Sequence, residues 1–378
     1  MRLAYFYSRY PVLSQTFCDT EMLELERRGV SLFIASVHPP LTTMRHAHAL
    51  RLKAPVHYAP PASILELWEE QAKADKIWPG ALVDEHERKY GEAFKSALRA
   101  RNAAYFAQLF MRERIQHFHV HFANRAAHTA LFVKQMSGIP FSVTAHGQDF
   151  MSDLGSAELL QEICAAAEFV AAETDYSRDL LAERCPASAA KIHRVYNGME
   201  LENFPVTPPS AYSAEPPKIL SIGRLVGFKG FEFLIEACAQ LRARGNLFSC
   251  EIIGDGPLRE KLQAQINAAD LDANVRLSGA LPQQDVFERL RQCDIFALAS
   301  TVDAGASDVF PTVILEAMAS GRPVISTQLA GIPEAVVHGT TGLLVEPGNS
   351  AALANAIARL IHDQWTRVEF GNTGRARV

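Results

Sequence analysis

Short apolar runs alternate with longer amphipathic stretches from one end of the chain to the other. Short apolar runs bounded by turn residues suit buried strands, and an apolar period near 3.6 suits a helix. The alternation therefore predicts parallel βαβ units. In the first half the predicted strands are Leu3–Tyr7, Val30–Val37, Phe118–Phe122, Phe141–Ala145 and Phe169–Glu173. The helix after the first of them is expected to start near Ser14, a suitable N-cap, and to stop at Gly29.

From about residue 62 to 114 the pattern becomes mixed-charge helix without strands. Between Arg88 and Arg114 seven Lys/Arg stand against Glu92 and Glu113, interleaved with Phe94, Leu98, Phe106, Leu109 and Phe110. Two readings fit: a basic amphipathic face for an anionic membrane, or a helix packing its apolar stripe on a sheet with its charges in water. A proline-rich break follows. Residues 203–217 hold five prolines and suit an extended linker. After it the alternation restarts, with strands predicted at Ile219–Ile222, Phe248–Ile253, Val275–Leu277, Ile295–Leu298 and Val324–Thr327. The expectation is α/β, with doubly wound domains over 1–202 and 218–378 and ligands bound in a cleft between them.

Composition narrows this picture. With 378 residues, 48% hydrophobic and 21% charged, the chain is globular and long enough for two cores. The formal charge of −5 gives no basic excess for nucleic acid. Six cysteines without a C-x-x-C spacing suit reduced thiols in a cytosolic protein. The opening run Met1–Tyr7, ended by Ser8-Arg9, is too short for a secretion signal, and no later run is long enough to span a bilayer. The expected location is the cytoplasm, with any membrane contact peripheral and on the inner face.

The chemistry concentrates in the second half. The strand at Ile219–Ile222 runs into Gly223-Arg224-Leu225-Val226-Gly227-Phe228-Lys229-Gly230. Two cations five residues apart beside a helix start can face one diphosphate, although any strand–helix loop can carry such residues. The next strand ends in the turn Gly254-Asp255-Gly256-Pro257, on the same sheet edge. Further on, Pro311 suits a first helical position and Gly321 an exit. Asp308 then precedes a helix and Glu316 lies on its second turn, two carboxylates able to accept bonds from sugar and ribose hydroxyls. Alternatively, Asp308 caps the helix and Glu316 is only a helix former.

As an ordered set, these segments and Glu316-Ala317-Met318-Ala319-Ser320-Gly321-Arg322-Pro323-Val324 resemble glycosyltransferase family 4, of GT-B fold. Gly331-Ile332-Pro333-Glu334, Gly339–Val345, Thr144–Asp149 and Tyr196–Glu200 share the resemblance. With Tyr10–Phe17, the first half is most similar to members that build bacterial exopolysaccharides. The resemblance implies a retaining, metal-independent transferase without cofactor, whose UDP- or GDP-linked donor is a substrate. It assigns Arg224 and Lys229 to the diphosphate and the leaving-group charge, Asp308 and His146 to the transferred sugar, and Glu316 to the ribose. Gly223, Gly230, Gly254, Gly256, Phe310, Pro311 and Thr312 complete the donor side, and Ser14, Gln15, Thr16 and His121 the acceptor side. The expected acceptor is a glycan or a polyprenyl-diphosphate-linked glycan. No Asp-x-Asp lies near the expected site, so fixed cations must stabilise the departing nucleotide.

Three departures stand out. Asp308 occupies a position where the family commonly has Glu, shortening the reach by about 1.3 Å. Ser8-Arg9-Tyr10-Pro11 replaces the Gly-Gly turn of many relatives, and the sequence stops at Val378 inside the family's last helical region, so a truncated final helix is expected. His117, His119 and His121 share one strand face, but with no further ligand in view no metal site is expected. The competing reading is a degenerate GT-B protein that binds nucleotide-sugar or a polysaccharide without turnover. A sugar-nucleotide epimerase or phosphorylase is disfavoured by the acid pair and by the lack of a pyridoxal-phosphate lysine motif.

Overall fold

The computed structural model describes residues 2–12, 15–42, 49–150, 156–204 and 216–378. Its contacts divide the chain into two units, Met1–Met199 and Glu200–Val378. Most of the proline-rich segment, residues 205–215, lies outside the described residues, as does Ser14.

The first unit is built on seven parallel strands: β1 (Arg2–Arg9), β2 (Ser31–His38), β3 (Val56–Tyr58), β4 (His117–His121), β5 (Phe141–Ala145), β6 (Val170–Ala172) and β7 (Ile192–Arg194). Their order is β3-β2-β1-β4-β5-β6-β7. The sequence-predicted strands are all present, and β3 and β7 are the edge strands that the pattern did not reveal. Along β1 the side chains alternate, as a strand requires. Ala4 and Phe6 face the larger core, while Leu3, Tyr5 and Tyr7 face a smaller one with Cys18, Met22 and Ile34.

The mixed-charge stretch folds as helices Ala62–Ala74, Gly80–Tyr90 and Ser96–Arg112. In the last helix Phe106, Leu109 and Phe110 are buried while Leu98 is exposed, and the Phe106 and Phe110 rings lie 5.0 and 6.2 Å from that of Phe6. Burying a side chain of this size stabilises the fold by roughly 1.5–3 kcal/mol. Those buried side chains are spent on the core, which favours the packing reading over a membrane face. No helix among the described residues is long and apolar enough to cross a membrane.

The second unit holds six parallel strands: β8 (Lys218–Ile222), β9 (Ser249–Ile253), β10 (Val275–Gly279), β11 (Ile295–Ala297), β14 (Val324–Thr327) and β15 (Gly342–Val345), in the order β10-β9-β8-β11-β14-β15. A short antiparallel hairpin, β12 (Val302–Asp303) with β13 (Ala306–Ser307), follows β11. The last helix, Gln364–Arg377, packs on the helix Thr312–Ala319. In each sheet the chain reverses its direction of strand addition once, between β1 and β4 and between β8 and β11. In doubly wound sheets, ligands bind outside the carboxyl ends of the strands at such a switch point.

Candidate functional site

In the second unit, loops from both sides of the switch point meet. Backbone bonds fasten the segment after β8 to the turn after β9: Gly223 N–H donates to Ile253 O at 3.0 Å, Leu225 N–H to Asp255 O at 3.0 Å and Leu258 N–H to Leu225 O at 3.1 Å. Two glycines are required for this closeness. A Cβ on Gly254 would lie 1.9 Å from Gly223 O, and one on Gly230, whose φ is +67°, would lie 1.8 Å from Ala299 O. Thr301 N–H donates to Phe228 O at 2.8 Å, bringing the strand that ends at Ala297 against the Gly227–Lys229 turn.

This closure places Lys229 beside Asp308. The Lys229 Nζ donates to Asp308 Oδ2 at 2.6 Å, and the Ser300 hydroxyl donates to the same oxygen at 2.9 Å. The two side chains are 14% and 12% exposed, so the pair is largely shielded from water. Asp308 therefore binds the lysine and does not cap the helix that follows. That helix begins at Thr312, with Pro311 one position earlier than predicted, at the N-cap, and no side chain caps it. The first backbone N–H groups of a helix lack partners within it and can bind an anion. Glu316 is half-buried on the second turn. Arg224 is exposed, its guanidinium 6.0 Å from the Phe228 ring centre, and forms no ion pair among the described residues. Lys229, Asp308 and the helix start are thus brought together, with Arg224 at the rim of the same loop.

In the first unit the strand ends collect histidines and acids. His146 follows β5, His121 ends β4 and Glu173 follows β6. Nδ1 of His121 is 3.2 Å from Nε2 of His146, whose Nδ1 is 3.3 Å from Glu173 Oε2. Asn197 donates to the same Glu173 oxygen at 3.1 Å. At the other end, His121 Nε2 lies 3.4 Å from Glu21 Oε2, too poorly aligned for a hydrogen bond. The result is a row, Glu21–His121–His146–Glu173, with a carboxylate at each end; the histidines and Glu173 are buried, and Glu21 is the exposed end. Burial works to lower the His146 pKa, but the hydrogen bond and charge of Glu173, with Asp149 and Glu21, raise it above the ordinary histidine value. Burial, opposed chiefly by His146, pushes Asp149 up to about 6.

Asp149 organises the loops around this row. It accepts from the backbone N–H of Ala123 at 2.7 Å, from that of His146 at 3.0 Å and from the Asn124 amide at 2.9 Å. Phe122 holds φ +76°, a strained conformation for an aromatic residue, with its ring 4.5 Å from that of His146. Gln15 immediately precedes the helix Thr16–Arg27, and its Oε1 is buried without a hydrogen-bond partner. Glu21, Asp149, Glu173 and Asn197 were not among the predicted site residues. Asp149 and Asn197 lie inside motifs already singled out, whereas nothing local marks Glu21 or Glu173.

The histidine face needs one correction. The sequence offered no ligand beyond the histidines, but the fold brings Glu21 to them, and ligand-capable atoms of Glu21, His119 and His121 lie within 4.8 Å of one another. Both nitrogens of His119 are engaged, however, with Ser142 Oγ at 2.8 Å and Thr144 Oγ1 at 2.9 Å. Burial first, then the neighbouring His121, lowers the His119 pKa to about 3. Its place in the structure is that of a neutral ring fixed between two hydroxyls.

Comparison with known proteins identifies the family and the fold. Residues 208–377 match the family described as Glycosyl transferases group 1, and residues 22–203 match Glycosyltransferase Family 4. The chain is 30% identical to the amylovoran biosynthesis glycosyltransferase AmsK of Erwinia amylovora, over all of this chain and 95% of that protein. It is 27% identical to the putative colanic acid biosynthesis glycosyltransferase WcaL of Salmonella typhimurium, over 96% of this chain and 92% of that one. Among solved structures, Anabaena HepE in complex with UDP superposes with a TM-score of 0.74 at 19% identity, covering 100% of this chain and 94% of HepE.

Proposed function

The chain belongs to glycosyltransferase family 4 and has the GT-B fold, and from that premise we propose that it is a retaining hexosyltransferase of cell-surface polysaccharide synthesis. It moves a sugar from a UDP- or GDP-linked donor to a glycan or polyprenyl-diphosphate-linked acceptor. It works without a metal, in the cytoplasm or at the inner face of the membrane. The exopolysaccharide names of AmsK and WcaL support the pathway class, and the UDP held by HepE supports the donor class.

The observation that carries the donor half is the shielded Lys229–Asp308 pair beside an uncapped helix start at the switch point of the second sheet. A nucleoside diphosphate leaves with charge that must be met by a metal or by fixed cations. Lys229 and Arg224 fill that role here. Before the donor binds, Asp308 is the counter-ion of Lys229. When the diphosphate takes over the lysine, Asp308 is released to accept bonds from sugar hydroxyls. Glu316 binds the ribose, and backbone N–H groups of Thr312 and Val313 meet the phosphate. His146 contacts the transferred sugar, with its proton held by Glu173. The acceptor attacks the anomeric carbon on the face the leaving group vacates, the C–O bond to the diphosphate breaks, and a diphosphate oxygen takes the acceptor proton.

The test is transfer of labelled sugar from UDP- and GDP-hexoses to bacterial membrane-lipid extract in EDTA, with the anomeric configuration of the product read by NMR. Retained configuration supports the proposal. Inverted configuration, or turnover only with added metal, refutes the mechanism, and nucleotide-sugar binding without any turnover would establish a degenerate binder.

A further inference from the structure

At the switch point of the first sheet, between β1 and β4, lies a cavity of about 540 Å3. Three arginines line it, and they come from three separate elements: Arg9 at the end of β1, Arg99 on the helix Ser96–Arg112 and Arg125 opening the helix Arg125–Ser137. Phe94, Phe122 and Leu160 form part of its apolar wall.

Arg99 is the unusual member. It is only 9% exposed and its Nε has no hydrogen-bond partner. Burial first, and the nearby Arg125 second, lower its pKa. Among the described residues none of the three arginines forms an ion pair, and Arg9 donates only to the carbonyl of Pro39. The acid in the lining, Asp149, is already bonded to Ala123, Asn124 and His146. The same cations reach His38, whose pKa is lowered by burial and then by Arg9, Arg99 and Arg125. A buried guanidinium without a carboxylate costs stability unless something else meets its charge. The Gln15 amide, its Oε1 also buried and unpartnered, lines the same space and offers a further polar contact. A lining that combines cations with aromatic and aliphatic groups fits an anion attached to a hydrocarbon.

We propose that this cavity is the subsite for the phosphate or diphosphate of the acceptor, with Arg99 and Arg125 binding the anion and the apolar wall taking the first isoprene-like carbons. This rests on the transferase reading and specifies the acceptor for it. The same anion chemistry occurs in the nucleotide, so the test must separate the two sources.

Farnesyl diphosphate, farnesol and UDP are titrated by calorimetry into the whole chain, and into Arg99→Met, Arg125→Gln and Lys229→Ala. Farnesyl diphosphate is expected to bind the wild type at least tenfold more tightly than farnesol does. Arg99→Met and Arg125→Gln should each weaken it tenfold or more while leaving UDP affinity within twofold. Lys229→Ala should do the reverse. Arg99→Met is also expected to keep or raise the melting temperature, because it removes an unpaired buried charge, so its binding loss is not loss of fold. The inference is overturned if farnesyl diphosphate does not bind, if both arginine variants bind it like the wild type, or if they weaken UDP equally. Any of these with UDP binding still dependent on Lys229 leaves the donor reading standing. Loss of UDP binding in the wild type itself would instead sink that reading.

Discussion

Asp308→Asn is expected to weaken the fold and strengthen nucleotide binding. Asp308 meets Lys229 at 2.6 Å, with both side chains nearly out of water. At an effective dielectric of about 20, the gross attraction at that distance is about 6 kcal/mol. Most of it is offset by the desolvation of both ions. Exposed pairs contribute roughly 0–1 kcal/mol, and breaking fully buried ones costs roughly 3–5 kcal/mol. A pair this shielded sits between, so stranding Lys229 costs about 2 kcal/mol. For a unit of this size that lowers Tm by roughly 4–8 °C. In the wild type UDP must displace Asp308 from the lysine, and in the variant it need not. The same energy therefore reappears as tighter binding, about tenfold and bounded by about 30-fold. Turnover should fall despite the tighter binding, because the sugar contact is lost. Asp308→Glu, which keeps a carboxylate, should show much smaller changes in both quantities. Scanning calorimetry and UDP titration on the three proteins read both arms. A drop in Tm with unchanged or weaker UDP binding would refute the placeholder role and leave the pair a structural one.

Other expectations follow from the same geometry. Lys229→Ala should lower turnover by about a hundredfold or more, as loss of a transition-state charge donor does; steady-state kinetics near wild type would remove it from the mechanism. Glu173 raises the His146 pKa, so the stability that pair contributes is complete below the unfolded histidine value of about 6.5 and is lost as pH rises through the higher folded value. Glu173→Gln should flatten the fall of Tm across that window, and an unchanged profile would contradict the assignment. Gly230→Ala places a Cβ on a backbone carbonyl at positive φ, and should cost about 2 kcal/mol or more together with UDP affinity; melting curves and titration check it.

Most of the fold was legible because strands buried on both faces read as continuous apolar runs. The strands that escaped, β3, β7 and β15, lie at sheet edges. Their burial is partial: none of Val56, His57 and Tyr58 is fully buried, and in Ile192–Arg194 only Ile192 is. The β12–β13 hairpin escaped because two-residue strands carry no period. The loops that meet at the switch point of the second sheet were legible because each sits inside a local motif. The Lys229–Asp308 contact was not, since 79 residues separate the partners and only the crossover of parallel strands joins them. Glu21 and Glu173 were hidden for the same reason, and the linkage of His121 to His146 depends on β4 pairing with β5.

The central claim is that fixed cations of the second unit hold the donor diphosphate without a metal. Titration of UDP and GDP into the chain in EDTA, with Lys229→Ala in parallel, tests it most directly. The account predicts saturable binding of one nucleotide that EDTA does not change and Lys229→Ala weakens at least tenfold. Binding that appears only with added divalent metal, or that is indifferent to Lys229, would contradict it.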